Sequence, residues 1–199
     1  MTLRFFASLL FFSAQLHLSA SPLEVGSPMP NPEVRTIKNE SVTLHGLVNG
    51  KPSVLIFYRG GWCPYCTEHL QELAAVEHKI VELGYQLIAI SPDQPSVILQ
   101  TPERESLAYT LISDSAMHAA NAFGLSFQVA PDLVELYKNE YSIDLEAASG
   151  QTHHALPHPA VFVVDQEGQI VFAYTDENYR ERLAAEDLLQ TLSTVASQN

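Results

Sequence analysis

The chain has 199 residues, and its 10 Lys and Arg against 23 Asp and Glu give a formal net charge of −13. This acidic balance argues against nucleic acid and anionic membrane surfaces as partners, because both are bound through basic patches. A hydrophobic content of 46% is enough to build one core, so no second domain is required.

Residues 1–20 have the layout of a secretory signal peptide. One positive charge, Arg4, precedes a strongly apolar run, and small residues end the segment at Ala20 without any acidic residue. The apolar run over 5–18 is interrupted by polar residues and is short for a membrane span. We therefore predict export to the periplasm after cleavage, with an uncleaved membrane tether as the alternative.

The chain after this segment begins irregularly and then forms strands. Residues 21–32 are rich in Pro, Ser and Gly, which predicts an irregular lead-in to a single domain over 33–199. Loose alternation over 34–48, followed by Asn-Gly, predicts a short strand or hairpin. The apolar run SVLIFY at 53–58 predicts a central strand that is covered on both faces.

A long amphipathic helix is predicted directly after the two cysteines. Apolar residues recur at steps of three or four from Cys66 to Leu83, and Gly84 ends the pattern. The next apolar run, over 85–91, predicts a strand. Strand, helix and strand therefore form a crossover unit with a parallel pair.

The second half of the chain continues the alternation of strands and helices. Together with the first half it predicts an α/β fold whose mixed sheet has about five to seven strands and helices on both faces. We predict a strand over 110–113, helices over 114–123, 131–141 and 183–195, an irregular loop over 142–158, and a hairpin with strands at 159–165 and 170–175.

The only two cysteines, Cys63 and Cys66, lie in the stretch FYRGGWCPYC at 57–66. A disulfide between them would close a loop too short to stabilise the fold much, so we interpret the pair as chemical. The N-terminus of a helix favours a thiolate over a thiol, and Pro64 suits the first helical position. We expect Cys63 to be exposed and to attack, and Cys66 to be buried and to resolve the mixed disulfide.

These motifs resemble known proteins over nearly all of the chain after residue 25. WCPYC at a strand-to-helix junction resembles the thioredoxin fold. The wider pattern of FYRGGWCPYC, ISPD, LISD, AFGL and LPHPAVFVVDQEGQIV resembles peroxiredoxin-like members of the alkyl hydroperoxide reductase and thiol-specific antioxidant (AhpC/TSA) family. The resemblance implies a thioredoxin-like fold and thiol redox chemistry without a cofactor. It also puts Pro159 where thioredoxin-like proteins carry a cis-proline facing the cysteines, so that the backbone of His158 would pair with a substrate.

The chain departs from the peroxiredoxin pattern at the positions that activate peroxide. When Cys66 is aligned with the peroxidatic cysteine, Arg59 replaces the proline and Cys63 replaces the Thr or Ser of that family. Pro159 replaces its arginine. These three changes favour thiol-disulfide exchange over hydroperoxide reduction.

The thioredoxin pattern is incomplete too. Phe57 stands where thioredoxin has a buried acid, so the proton of Cys66 would have to pass to water, Glu68 or His158. Two further residues of the motif are candidates for supporting roles. Trp62 could cover the disulfide and form part of a substrate face. Tyr65, between the two cysteines, is the other supporting residue.

Arg59 has two interpretations. It could hold its guanidinium near the sulfurs and favour the thiolate. It could also be a surface charge that pairs with one of the many carboxylates.

We predict a thiol-disulfide oxidoreductase of the cell envelope that exchanges with a protein or small-molecule disulfide and is recharged by a thiol reductant or reductase. A thiol-dependent peroxidase acting on hydroperoxides is the first alternative. The second is an exported copper carrier that uses the cysteines with His153, His154 and His158, because histidine and thiolate bind copper and zinc. The favoured interpretation requires no metal and no nucleic acid, and it leaves the oligomeric state open.

Overall fold

A computed structural model describes residues 21–101 and 109–197, so the predicted signal peptide at 1–20 lies outside the described residues. The strands are β1 (Glu33–Thr36), β2 (Ser41–Thr43), β3 (Ser53–Phe57), β4 (Gln86–Ser91), β5 (Thr110–Ser113), β6 (Ser126–Gln128), β7 (Ala155–Pro157), β8 (Ala160–Val164) and β9 (Ile170–Thr175). The helices are α1 (Leu44–Val48), α2 (Pro64–Glu82), α3 (Pro95–Ile98), α4 (His118–Ala122), α5 (Pro131–Glu140), α6 (Leu145–Ser149) and α7 (Ala185–Ala196).

A seven-stranded mixed sheet organises the domain, with the strand order β2-β1-β5-β4-β3-β8-β9. Its centre is parallel, because β3 pairs with β4 and β4 with β5 in the same direction. The flanking strands are antiparallel, since β8 pairs with β3 and β9 with β8. The predicted mixed sheet, its parallel crossover unit and its late hairpin are therefore confirmed.

Strand β3 is buried on both faces, as its continuous apolar sequence predicts. Val54 and Ile56 pack in the core layer that contains residues of α2 and α7. Leu55 and Phe57 point the other way, into the layer that contains residues of α1 and the end of α4. Because successive side chains of a strand point to opposite faces, β3 packs against helical layers on both sides of the sheet.

Helix α2 has the two cysteines at its N-terminal end and a row of buried side chains along its length. Cys66, Leu70, Leu73 and Ile80 are buried on the face toward the sheet, which confirms the predicted amphipathic helix. Gly84 follows the helix with a φ of 90°, a conformation that favours glycine. No helix within residues 21–101 or 109–197 combines the length and apolar character needed to cross a membrane.

Three predicted elements differ from the structure, namely the first hairpin, the helix over 114–123 and the loop over 142–158. Residues 44–48 form α1 instead of continuing the first hairpin, because the Thr43 hydroxyl caps that helix by accepting the Gly46 N–H. The helix predicted over 114–123 is reduced to α4. Asp114 stays outside this helix and accepts the N–H groups of Ala119 and Ala120 at 2.9 and 2.8 Å.

The predicted irregular loop over 142–158 is wrong in part. It contains α6, whose N-terminus is capped by Asp144, and β7, which pairs antiparallel with β6 in a separate two-stranded sheet. Strand β7 is only three residues long, and its partner lies some thirty residues earlier in the chain. Local periodicity in so short a segment is too weak to predict such a pairing.

Three phenylalanines anchor the core layer under α4. The ring centroid of Phe57 lies 4.9 Å from that of Phe123 and 6.1 Å from that of Phe162, and the last two rings are 5.0 Å apart. The cluster ties β3, β8 and the end of α4 together, and all three rings are buried. Tilted and edge-on rings at these separations add to the free energy of burying them.

We predict that Phe162→Ala lowers the free energy of unfolding by about 3–5 kcal/mol, because it leaves a cavity that this packed cluster cannot close. Urea unfolding followed by circular dichroism measures the loss. Leu99→Ala is the control, since Leu99 is exposed and its truncation should change stability by no more than about 0.5 kcal/mol. Equal losses in the two variants would contradict the role of the aromatic cluster.

Candidate active site

The two cysteines lie where β3 leads into α2. Cys63 is the N-cap residue of the helix, with extended backbone angles of φ −92° and ψ 111°, and Pro64 follows at the first position. The Cys66 N–H donates to the carbonyl of Cys63 at 3.0 Å. Both cysteines are free thiols in this structure. The predicted placement at a helix N-terminus is therefore what the structure shows.

The expected exposure of Cys63 is wrong. Its exposed fraction is 2%, against 1% for Cys66. Side chains from α5 and from the segment between β9 and α7, among them Tyr137 and Tyr179, lie beside the first turn of α2. These elements are distant in sequence, so the periodicity of α2 alone could not predict the surroundings of Cys63.

The pKa values of the two thiols are shifted in opposite directions. The Cys66 thiol, as a hydrogen-bond donor, is the largest cause that lowers the pKa of Cys63 from 9.0 to about 6. The Cys66 N–H and the positive charges of Arg59 and Arg182 add to this, and burial opposes it. Burial and the neighbouring Cys63 raise the pKa of Cys66 well above its ordinary value. At neutral pH the arrangement therefore puts the thiolate on Cys63 and keeps the proton on Cys66.

Arg59 is buried, with an exposed fraction of 4%, so the interpretation as a surface ion pair is wrong. Its guanidinium donates to the Tyr137 hydroxyl at 2.6 Å. It also lies 4.5 Å from the ring centroid of Tyr179 and 5.3 Å from that of Trp62. Aromatic faces stabilise a desolvated guanidinium, which is how this charge is held beside the sulfurs.

A second arginine reaches the sulfurs from the far end of the chain. The Arg182 guanidinium donates to Cys66 Sγ at 3.4 Å. Arg182 lies between β9 and α7, 116 residues from Cys66, and its charge lowers the pKa of both thiols. Nothing in the sequence distinguishes it from a surface arginine, so its role cannot be predicted from the sequence.

Asp93 is a buried acid beside the dithiol that the sequence analysis also missed. Its exposed fraction is 1%, and its Oδ2 accepts the Gly61 N–H at 2.7 Å. Burial is the main cause that raises its pKa to about 7, and the nearby Cys66 raises it further, while the Gly61 N–H and the Trp62 indole lower it. Glu68, an acid suggested by the sequence, is exposed on α2.

A signal for Asp93 was present in the predicted topology. β3 and β4 are parallel neighbours, so their carboxyl ends meet at the same edge of the sheet. The cysteines follow β3, and Asp93 follows β4. The buried acid therefore comes from the next strand rather than from the position of Phe57.

Gly60 allows Trp62 and Asp93 to approach the backbone before the cysteines. Its φ is 147°, and a Cβ atom at this position would overlap the Trp62 indole nitrogen and lie 2.8 Å from Asp93 Oδ1. Asp93 Oδ1 and Arg59 Nε make no hydrogen bond to the described residues. Both residues line a small cavity of about 10 Å³, which is the size that one water molecule requires.

The expectation of a cis-proline is wrong for Pro159. No cis peptide bond occurs in residues 21–101 or 109–197, so the bond between His158 and Pro159 is trans. The His158 N–H donates to the Leu125 carbonyl at 2.8 Å, and the Pro159 carbonyl accepts the Asp176 N–H at 3.2 Å. The His158 ring stacks on Phe127, 4.5 Å away, and its pKa is lowered mainly by burial. The first backbone bond extends the β6–β7 pair and the second extends the β8–β9 pair, so these backbone groups are used within the fold.

The loop histidines are engaged with other partners. His153 Nε2 is paired with the Ser115 carbonyl at 2.9 Å, and His154 Nε2 with Glu146 Oε1 at 2.8 Å. Within the part of the chain that the structure describes, no group of three or more His, Cys, Asp or Glu side chains is arranged to hold a metal ion. The geometry therefore gives no support to the copper-carrier alternative.

A groove of about 700 Å³ opens beside Cys63, and we refer to it as the aromatic groove. The first turn of α2, one side of α5, the residues after α5 and the β9–α7 segment form its walls. Tyr65, predicted as a supporting residue, packs edge-on against Tyr179 with ring centroids 5.7 Å apart. Its aromatic lining comprises Trp62, Tyr65, Tyr137, Tyr141 and Tyr179.

Comparison with known proteins places this site in a family. The model of the AhpC/TSA family matches residues 25–173. The chain is similar to peroxiredoxin Bcp of Bacillus subtilis, at 25% identity over 174 residues that cover 87% of this chain and 98% of the relative. It is also similar to the thiol-disulfide oxidoreductase ResA of Bacillus thuringiensis, at 23% identity over 161 residues that cover 81% and 75% of the two chains.

The solved structures agree with the fold. The crystal structure of peroxidoxin BcpB from Mycobacterium tuberculosis superposes with a TM-score of 0.66 at 18% identity, covering 87% of this chain and 98% of that one. The sheet, the flanking helices and the cysteines at the β3–α2 junction are thus set in a thioredoxin-like fold. Because the family model matches most of its length, the chain belongs to the AhpC/TSA family.

Proposed function

We propose that the protein is a thiol-disulfide oxidoreductase that cycles between a Cys63–Cys66 dithiol and a disulfide. The observation that carries this proposal is the placement of two free, buried cysteines in the first turn of α2 beside Arg59 and Arg182, which also shifts their pKa values in opposite directions. A thiolate at neutral pH is the nucleophile of disulfide exchange, and a protonated neighbour is its resolving partner. The chain is therefore an oxidoreductase that acts on thiols, in line with its relatives.

The reaction follows from these protonation states. The Cys63 thiolate attacks one sulfur of a substrate disulfide, whose S–S bond breaks and releases the other sulfur as a thiolate. Cys66 then loses its proton and attacks Cys63 Sγ, which breaks the mixed disulfide and releases the second substrate thiol. Two electrons pass from the dithiol to the substrate, and a thiol reductant or reductase reverses the change in the enzyme.

Formation of the mixed disulfide itself prepares the second step. While Cys63 is a thiolate, its negative charge raises the pKa of Cys66. That charge is lost when Cys63 bonds to the substrate, so the Cys66 proton becomes easier to remove. The guanidinium of Arg182 at 3.4 Å stabilises the resulting thiolate, and ionised Asp93 accepts the proton.

A second candidate function, a thiol-dependent peroxidase, is favoured by the two arginines at the sulfurs. Arg182 supplies a guanidinium in space although Pro159 has replaced the arginine of the peroxiredoxin pattern. In this reaction the Cys63 thiolate attacks a peroxide oxygen, the O–O bond breaks, and water or an alcohol leaves. The sulfenic acid on Cys63 then condenses with Cys66 and releases water. The peroxiredoxin Bcp relative supports this candidate as strongly as ResA supports exchange.

We further propose that the protein acts in the cell envelope, where it serves redox homeostasis. The support is the sequence of residues 1–20, with its single charge, apolar run and small residues at the end. Cleavage after Ala20 would release the domain into the periplasm, and retention of the segment would tether it to the membrane. Disulfides form and persist in an oxidising compartment, so a thiol-disulfide oxidoreductase has substrates there.

The first test compares the two oxidants directly. Trp62 is the only tryptophan and adjoins Cys63, so its fluorescence should report oxidation of the reduced protein in stopped-flow mixing. We expect a small disulfide to oxidise the protein faster than hydrogen peroxide at equal concentration. Cys63→Ser should abolish both reactions, while Cys66→Ser should stop at a mixed disulfide that mass spectrometry detects. Faster oxidation by peroxide would instead establish the peroxidase.

The second test measures the thiolate on Cys63. In the reduced protein, the rate of alkylation by iodoacetamide should rise with pH to a plateau with a midpoint near 6, because only the thiolate reacts. Cys66→Ala should move the midpoint upward by about one unit or more, since it removes the main hydrogen-bond donor to the thiolate. Arg35→Gln, a change at an exposed arginine on β1, is the control and should leave the midpoint in place. A wild-type midpoint of about 8.5 would contradict the proposed activation.

The third test concerns the proton of Cys66. Asp93→Asn should slow resolution of the mixed disulfide by a factor of about 10 to 100, the lower end of the effect of a general base. In the wild type this rate should rise with pH through about 7, the pKa of Asp93, because only the ionised carboxylate accepts a proton. Quenched-flow mass spectrometry measures the step.

Glu68→Gln is the matched control for that measurement. It removes the exposed acid that the sequence suggested, and the rate of resolution should remain that of the wild type. If Glu68→Gln slowed resolution and Asp93→Asn did not, the assignment of the proton acceptor would be overturned.

A further inference from the structure

The aromatic groove is an unusual surface for this chain. Its walls contain four of the eight tyrosines and the single tryptophan. Leu136, Tyr141 and Tyr65 line it, although their exposed fractions are 42%, 62% and 38%. Large apolar side chains grouped around one concave, solvent-open site are typical of a binding surface rather than of scattered surface residues.

The charge of the aromatic groove is opposite to that of the whole chain. The formal net charge of the protein is −13, yet among the residues that the structure describes no Asp or Glu lines the groove. Two arginines do. Arg59 is buried at its base, and Arg180 is exposed at its rim, where its guanidinium lies 5.7 Å from the ring centroid of Tyr65. The groove is therefore complementary to a ligand that is both apolar and anionic.

The backbone beside the cysteines favours a small ligand over an extended polypeptide. A peptide that adds as a strand needs free main-chain groups on its partner. The His158 N–H is already bonded to the Leu125 carbonyl, and the Pro159 carbonyl to the Asp176 N–H. A volume of about 700 Å³ lies within the usual range for small-molecule sites.

We propose that the aromatic groove selects small disulfides that carry an apolar or aromatic body and a carboxylate, and that the carboxylate pairs with Arg180. This inference rests on the exchange activity proposed above and names its substrate class. The apolar body lies against Tyr141 and Leu136, and one sulfur lies at Cys63. The Cys63 thiolate then attacks that sulfur, and the substrate's other half leaves as a thiolate with its own negative charge.

The experiment compares an anionic and a neutral aromatic disulfide. Dithiobis(nitrobenzoate) is the anionic probe, and dithiodipyridine is the neutral one. Each rate constant for oxidation of the reduced protein is divided by that for free dithiothreitol, which removes intrinsic differences between the leaving thiols. We expect the corrected ratio of anionic to neutral rates to exceed one, although the net charge of the protein repels anions.

The role of Arg180 is tested by comparing substitutions that change the net charge of the protein by the same amount. Arg180→Gln should lower the corrected ratio by a factor of about 1.5 to 5, the size of one solvent-exposed charge interaction. Arg180→Lys should recover part of the ratio. Arg35→Gln changes the net charge by the same amount at an exposed site on β1 and should leave the ratio unchanged. Added salt should lower the wild-type ratio, since it screens exposed charges.

The contact between the substrate's aromatic body and Tyr141 is tested with a third probe, hydroxyethyl disulfide, which is aliphatic and uncharged. Tyr141→Ala should slow the reaction with both aromatic probes relative to hydroxyethyl disulfide, because it removes an exposed ring that the aromatic body contacts. Equal slowing of all three probes would contradict this assignment.

The outcomes separate failure of the substrate class from failure of the proposed function. If the reduced protein reacts with none of the disulfides, the exchange activity itself is wrong. If it reacts with all of them and Arg180→Gln and Arg35→Gln have the same ratio, exchange stands and the substrate class is wrong. Preference for a cysteine-containing peptide disulfide over every small probe would likewise overturn the assignment.

Discussion

The placement of Cys63 and Cys66 in the first turn of α2 is the constraint that governs the site. It buries both cysteines three residues apart at the N-terminus of the helix. Burial alone would raise the pKa of both thiols. Their mutual interaction and the charges of Arg59 and Arg182 lower the pKa of Cys63, while burial and Cys63 raise that of Cys66.

Among residues 21–101 and 109–197, no carboxylate forms an ion pair with Arg59 beside the dithiol. Arg59 is stabilised by aromatic faces and by the Tyr137 hydroxyl, which leaves its positive charge free to act on Cys63. Asp93, the proposed proton acceptor, interacts electrostatically with Cys66. A direct ion pair between Arg59 and Asp93 would cancel both effects. Both residues line one small cavity, but Arg59 Nε and Asp93 Oδ1 make no hydrogen bond to the described residues.

Two charged groups that are missing from the aligned positions of the peroxiredoxin and thioredoxin patterns are supplied by other parts of the chain. The acid missing at Phe57 is supplied by Asp93 from the neighbouring parallel strand, and the arginine missing at Pro159 is matched by Arg182 from the segment before α7. Groups from other elements of the chain thus approach the sulfurs, although the aligned positions lack them.

The β3–α2–β4 crossover could be predicted because its signals are local. A continuous apolar run predicts a strand buried on both faces, a spacing of three or four predicts one face of a helix, and Pro64 fits only its first turn. The same reasoning put both cysteines at a helix N-terminus. It failed for β7 and for the exposure of Cys63, where the deciding contacts come from elements far along the chain.

The α/β fold, the junction that carries the dithiol and the chemistry of two cysteines at this spacing could all be inferred from the order of the residues. Which charged groups reach the sulfurs could be seen only in the folded chain. Asp93, Arg182, Tyr137 and Tyr179 are separated from the cysteines by tens of residues or more, and no periodicity near the cysteines indicates their roles. The physical reason is that a pKa depends on burial and on charges within a few ångströms, and both are properties of the packed structure rather than of neighbouring positions in the chain.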